Sequence, residues 1–327
     1  MHFFHTYIGM YFIQSVVHSV VTLLIVEMSI RIWAVEGPHE RFRYRLQVLL
    51  LPFFMFPVFQ IINPQRGSFY FIEDTAVFSS MRWFDMELFG KVPLVFLFFL
   101  VIFSVSLVVI AQEILPILRD LFSKKDGYEG RPAGAEVDAM VAEMSRGLHI
   151  EKPYVTVIDN ANPVIFTAGT RSHEIVISEP LLTVFDKREL KSALAHELAH
   201  IVRRSNITTL VVFLIRICMF YNPVSLLEFR RLVQDDEHIC DDITVSITGD
   251  PHGLAAALKA FCMDVRHEST FGFFEIKEII ERSSHNLLLF ERISRLENNR
   301  ISVHLPYRWG RYFLTLSVIV AVNYFVV

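Results

Sequence analysis

Cysteine is scarce and basic charge is in no surplus, and each shortage removes a class of function. The three cysteines, Cys218, Cys240 and Cys262, show no paired metal-ligand spacing and cannot all pair with one another. They read as reduced, mostly buried thiols of a cytosolic or membrane-embedded region, which excludes a disulfide-stapled secreted scaffold. A net charge of −4 supplies no basic field to recruit nucleic acid. No helix-turn-helix or zinc-finger spacing is present either, so no direct nucleic-acid partner is expected. Internal repeats and low-complexity tracts are also missing.

Apolar surface is what the chain has in quantity. Of its 327 residues 53% are hydrophobic and 13% aromatic, with a mean hydropathy of +0.41. Such values predict a membrane protein with a soluble part and make the lipid bilayer its first partner. Tyr7 to Val26 is almost wholly apolar and long enough to span, closed by Glu27, Arg31 and Trp33. It lacks a basic leader and a small-residue cleavage site, so a retained helix is expected and not a signal peptide. His2, His5 and His18 read as interfacial or packing residues. A loop carrying Arg31, Arg41, Arg43 and Arg45 is expected next, then a second run from Leu46 to Ile62 in which Pro52 and Pro57 are tolerated. The Asn63–Gly90 stretch is acidic (Glu73, Asp74, Asp85, Glu87), and a third run, Val92 to Ala111, ends before Arg119, Lys124 and Lys125. Tyr312 to Val327 is a short fourth run. The positive-inside rule puts the first loop and everything after the third span in the cytoplasm, consistent with a bacterial inner-membrane protein.

The expected organisation is therefore a transmembrane region over 1–125 (spans near 7–30, 46–62 and 92–112), a cytosolic domain over 126–304 and a last transmembrane helix over 305–327. The Gly/Pro/charge-rich stretch from Lys124 to Glu136 reads as the linker. After it the apolar period changes. Val137, Met140, Val141, Met144 and Leu148 mark an amphipathic helix, and Tyr154–Ile158, Val164–Thr167 and Glu174–Ser178 read as strands. The fold class expected is an α+β membrane protein, one small sheet packed on a helix.

That helix lies in KRELKSALAHELAHIVRR and carries a His-Glu-x-x-His motif. Residues i and i+4 share a helix face, so His196 and His200 offer both imidazoles to one ion, with Glu197 placed to take a proton from water. Leu190, Leu194, Ala195, Leu198 and Ile201 form an apolar stripe along the same helix. A hydrolytic zinc site takes three protein ligands, which leaves one to find. If the apolar run Asn206–Tyr221 crossed the bilayer, the histidines and the acidic stretch QDDEHICDD would lie on opposite sides of it. Asn222-Pro223 instead predicts a hairpin that returns a second helix, Val224 to Ile247, to the ion. Glu237 on that helix is the candidate third ligand, with Asp236, Asp242 and His238 as competitors. Asp241, one turn on, is the candidate partner for a ligating imidazole N–H. His285 and Arg292 are candidates for stabilising an oxyanion, each equally readable as a surface residue. Val164–Thr167 is the candidate edge for an extended substrate.

With those residues laid out, the chain resembles the BlaR/MecR-type antirepressor family of membrane zinc metallopeptidases, gluzincins related to the HtpX/Ste24 proteases. The resemblance runs from about Pro153 to Leu296. It rests on SALAHELAHIVRRSN, YNPVSLLEFRRLVQDDEHICDDITV and GDPHGLAAALKAF, with NANPVIFTAG and EIVISEPLL similar to blocks of the HtpX/Ste24 relatives. It implies Zn2+ on His196, His200 and Glu237, catalysis by Glu197 and support from Asp241. His285 is followed by Asn286 where those relatives have proline, and Arg292 sits one position beyond their spacing. The antirepressors' penicillin-binding sensor domain has no counterpart in this sequence, so β-lactam sensing does not carry over. The expected activity is a membrane zinc endopeptidase that cuts a protein substrate, a regulator in a signalling pathway. The alternatives are membrane-protein quality control and a non-catalytic zinc scaffold. An intact Glu197 argues against the scaffold, since a structural site needs no base.

Overall fold

Long apolar runs with few interior breakers become long helices, and the shorter alternating runs after them become a sheet. The computed structural model describes residues 6–67, 86–88, 90, 92–111, 115, 130–160, 163–169, 172–264, 289–301 and 308–326. In chain order these form α1 (Tyr7–Ile32), α2 (Pro38–Ile62), the short pair β1 (Glu87–Leu88) and β2 (Val92–Pro93), and α3 (Leu94–Val109). Then come β3 (Gly130–Pro132), α4 (Ala135–Gly147), β4 (Tyr154–Ile158), β5 (Ile165–Ala168), β6 (Glu174–Ser178) and α5 (Glu179–Val184). The chain continues through α6 (Lys187–Arg203), α7 (Ser205–Cys218), α8 (Pro223–Thr248), α9 (Pro251–Asp264), α10 over 289–297 and α11 (Trp309–Val326). The protein is mostly helical with one small mixed sheet.

Two compact units share this chain. One comprises Met1–Gln112, Val211–Asp235 and His304–Val327, and the other Glu113–Leu210 and Asp236–Val303, so α7 and α8 contribute to both.

In the first unit α1, α2 and α11 are long and apolar enough to cross a bilayer. The run expected as a third span forms the apolar helix α3, whose 16 residues among those described are fewer than the ~20 that a perpendicular crossing needs. The arginine stretch expected as a loop is helical. Pro38 occupies the first turn of α2, where its missing N–H costs nothing, and Glu40 faces the positive helix end. Arg31 belongs to α1, and Arg41 and Arg45 reach Asp235 at 3.2 and 2.8 Å. An otherwise isolated carboxylate, 1% exposed, is matched by two guanidiniums. Apolar packing joins Val26, Tyr44, Val48, Met55, Phe59 and Ile319.

A line of polar side chains runs through the same helices. His18 is fully buried, its Nδ1 2.9 Å from Asn323 Oδ1, and Asn323 donates to Thr22 Oγ1 at 3.2 Å. Ser19 accepts from Asn222 at 2.7 Å, and Ser15 lies 2.7 Å from the Tyr221 hydroxyl. In an apolar surround such bonds hold helices in register because lipid offers no substitute partner. His18 is thus a packing residue in contact with the last helix.

In the second unit the sheet order is β3-β4-β6-β5. The strands β3 and β4 pair antiparallel, β4 and β6 parallel, and β5 and β6 antiparallel. Central β6 is buried on both faces through Ile175, Val176 and Ile177. Ile175 and Ile177 join Val155 and Val157 of β4, Val141 of α4, and Leu194, Ala195 and Leu198 of α6 in the core. Strand β3 lies inside the stretch that reads as a linker from sequence. It has no alternating pattern because it is an edge strand, where Pro132 is tolerated. A Cβ at Gly130 would meet Thr156 Cγ2 at 2.1 Å, so a larger residue there would have to displace that side chain. Gly169 closes β5 at φ +86, a conformation open to glycine.

Helix α9 is fastened to α6 by two charges. Arg188 donates to both oxygens of Asp250, which also accepts the Gly253 amide at 2.9 Å and so starts α9. The Arg188 guanidinium holds the Asp250 carboxyl below the usual carboxylate range, aided by that amide and opposed by partial burial. A depressed carboxylate pKa adds stability above the unfolded value and loses it as pH falls through the folded one. Thermal midpoints of wild type and Asp250→Asn should therefore differ at neutral pH and converge as the pH drops below about 4. A pH-independent gap would place the contribution elsewhere. In the first unit Asn323→Leu should lower stability by about 1 kcal/mol in detergent or bilayer, and an unchanged midpoint would show the polar line to be idle.

Candidate metal centre

Helix α6 is held at both ends before it presents any chemistry. Asp186 caps it, accepting from the amides of Arg188 and Glu189 at 2.8 and 2.7 Å, while Glu189 accepts from the Asp186 amide at 3.0 Å. Arg204 ends it in the left-handed conformation, φ 54. This reciprocal cap satisfies amides that the first turn leaves orphaned. Between the caps the apolar stripe faces the sheet, and His196, Glu197 and His200 follow on an adjoining face, 9%, 7% and 4% exposed.

The structure brings His196, His200 and Glu237 together, one ligand-capable atom from each lying within 4.8 Å of the others. Glu237 Oε2 is 3.3 Å from His196 Nε2, and Oε1 is 3.6 Å from His200 Nε2. The imidazole rings stand 4.8 Å apart and nearly perpendicular. Two imidazoles and one carboxylate are a donor set suited to zinc in a hydrolytic site, and both Nε2 atoms turn toward the same carboxylate. On that observation the residues fit the ion.

Asp241 lies one turn beyond Glu237 and is wholly buried. Its carboxylate receives both arms of Arg292, at 2.7 Å from Nη2 and 2.9 Å from Nε, and lies 3.4 Å from His196 Nδ1. Arg292 comes from α10. Its Nη1 is 3.0 Å from Glu237 Oε2 and its Nη2 3.3 Å from His196 Nε2, so one fixed guanidinium touches three members of the site. His285 lies outside the described residues.

The other acidic candidates take different partners. Asp236 pairs with Arg203 at 2.5 Å and Asp242 with Arg295 at 2.5 Å. His238 is buried, and its carbonyl accepts from Arg295 at 3.4 Å. Successive helix positions turn by about 100°, so Glu237 and Asp241, four apart, share one face and both approach His196, while Asp236 meets Arg203 further along α6.

Two further residues belong to the constellation. Thr167 of edge strand β5 donates to Glu197 Oε2 at 2.8 Å and lies 3.2 Å from the Glu197 carbonyl. Cys240 Sγ is 3.2 Å from His200 Nδ1. Sequence reasoning named the strand but not its threonine, and set the cysteine aside as a buried thiol. The signal for Cys240 was its place three residues after Glu237, within one helical turn of it.

The sequence profile described as BlaR1 peptidase M56 matches residues 78–252. A protease HtpX homolog of Methanothermobacter thermautotrophicus is 25% identical over 156 residues, 40% of this chain and 60% of that protein. One from Salinibacter ruber is 27% identical over 164 residues, 42% of this chain and 59% of that one. The chain thus spans about three-fifths of the length of these two relatives. The crystal structure of Ste24p from S. mikatae aligns with a TM-score of 0.37 and 15% identity, covering 75% of this chain and 67% of that one. The profile spans more than half of the chain and takes in β4 to β6, α6, α7 and α8, with His196, His200, Glu237 and Asp241. The chain belongs to the BlaR1-type peptidase family, M56.

Proposed function

We propose that the protein is an integral membrane zinc endopeptidase of gluzincin type that cuts a protein substrate. The single observation that carries this reading is the convergence of His196, His200 and Glu237 beside a Glu197 held by the substrate-side strand. His196, His200 and Glu237 are the proposed ligands. An ion held there would polarise the scissile carbonyl and acidify an attacking water.

The remaining chemistry falls to the chain's own groups. Glu197 accepts the water's proton and delivers it to the leaving amine, the role a positioned carboxylate takes in general acid–base catalysis. Thr167 donates to Oε2 and so fixes which carboxylate oxygen faces the reaction. Arg292 brings a permanent positive charge, 11% exposed, against Glu237 and His196, where it can balance negative charge developing on the substrate carbonyl. Asp241 keeps that guanidinium in plane with two bonds. An extended peptide would add along β5, the end strand in the sheet order, whose Thr167 sits against the base.

The proposed arrangement is a transmembrane region over 1–125, a cytosolic peptidase domain over 126–304 and a terminal transmembrane helix over 305–327, in a bacterial inner membrane. A regulator cut in a signalling pathway is the substrate class that the family resemblance favours.

Zinc content and cleavage in detergent-purified protein test the reading together. Wild type should hold about one zinc per chain, and Glu237→Ala should lose most of it. Glu197→Gln should keep the metal while turnover falls by at least about 100-fold. Cleavage that survives Glu197→Gln, or zinc that survives Glu237→Ala, would sink the assignment. Thr167→Val should also leave zinc in place and lower kcat by about tenfold or more with little change in KM, the loss of one hydrogen bond to a charged group. Thr167→Ser should restore most of it, and an unaffected kcat in the valine variant would remove Thr167 from the machinery.

A further inference from the structure

Each neutral imidazole that ligates an ion carries its proton on the other nitrogen, and something must hold that proton in place. For His196 the far nitrogen, Nδ1, lies 3.4 Å from the Asp241 carboxylate, close but outside hydrogen-bond geometry. For His200 the geometry differs. Its Nε2 faces Glu237, and its Nδ1 lies 3.2 Å from the sulfur of Cys240, with both side chains almost completely enclosed.

We propose that Cys240 is the positioning residue for His200: Nδ1–H donates to Cys240 Sγ, which fixes the tautomer and leaves Nε2 for the ion. The inference rests on the ligand set proposed above. Sulfur is a weak acceptor, but with both side chains enclosed a hydrogen bond to it is not readily exchanged for one to solvent. Cys240 stands three residues after Glu237 on α8, so the helix that brings the carboxylate to one side of the His200 ring brings the thiol to the other. The two histidines would then be oriented by unlike groups, a carboxylate for His196 and a sulfur for His200.

A competing arrangement uses the same atoms. His200, Asp236 and Cys240 also gather ligand-capable atoms within 4.8 Å, which would make the sulfur itself a ligand. Two observations favour the positioning role. The Asp236 carboxylate is already engaged by Arg203 at 2.5 Å, and the sulfur lies on the Nδ1 side of the ring while Glu237 lies on the Nε2 side. One ion cannot take both nitrogens of a single imidazole.

Zinc affinity by chelator competition on the full-length, detergent-purified protein tests the proposal. Cys240→Ala should weaken zinc binding about 10- to 100-fold, the usual range for losing a partner of a ligating histidine. Cys240→Ser, which keeps an acceptor, should fall between the two, and Cys218→Ser should bind as wild type. Cobalt-substituted wild type should show no sulfur-to-cobalt charge-transfer absorption in the near ultraviolet, a readout that needs no variant to fold. Unchanged affinity in Cys240→Ala, or a thiolate band in wild type that Cys240→Ser abolishes, would overturn the proposal. Zinc retained by Glu237→Ala would instead overturn the ligand set beneath it, so the two failures are distinguishable.

Discussion

A carboxylate with no exposure to water, Asp241, is the constraint on which the site depends. Left alone at 0% exposure it would carry a desolvation penalty of several kcal/mol. The guanidinium of Arg292 meets it with two bonds, and that one pairing orders three helices. It draws α10 against α8, sets a fixed positive charge beside Glu237 and His196, and leaves Asp241 facing the ring of the first histidine. Replacing the pair with apolar groups of equal volume would spare the desolvation, but the site would lose its electrostatic frame. Charge is retained where it organises ligands and not for the stability it adds.

The acidic run on α8 follows the same logic. Asp236 meets Arg203, Asp241 meets Arg292 and Asp242 meets Arg295, while in the other unit Asp235 meets Arg41 and Arg45. A helix distributes neighbouring residues around its axis, so acids adjacent in sequence serve separate partners, and Glu237 is directed to the imidazoles. In solution such a run would be a solvated face. Here almost every member is enclosed, and removing one acid strands the arginine opposite it.

Much of this was legible in the sequence, for identifiable reasons. The helix of the His-Glu-x-x-His motif announces itself twice, by the i, i+4 histidines and by the stripe from Leu190 to Ile201, and in the structure it carries a reciprocal cap at Asp186 and Glu189. Strands β4 and β6 were readable because β-branched residues run between turn signals. The arginines of α2 read as a loop because helix propensity is weak evidence beside a cluster of charge, and their partner, Asp235, lies far along the chain. Strand β3 has two glycine or proline residues among its three and no periodicity, so only its pairing with β4 reveals it. Thr167 and Cys240 were hidden for a different reason. Each meets its partner across elements distant in sequence, 30 and 40 positions apart; no local pattern encodes the Thr167 contact, and that of Cys240 is marked only by its place within one turn of Glu237.

The hydrogen bond between His18 and Asn323 joins residues 305 positions apart, one in the first helix and one in the last. Ribosomal synthesis runs from the first to the last, so α1 enters the bilayer with an imidazole whose partner does not yet exist. Until α11 arrives, that polar group sits in hydrocarbon or stays with the insertion machinery. The helices of this unit therefore lock only when translation has passed Asn323.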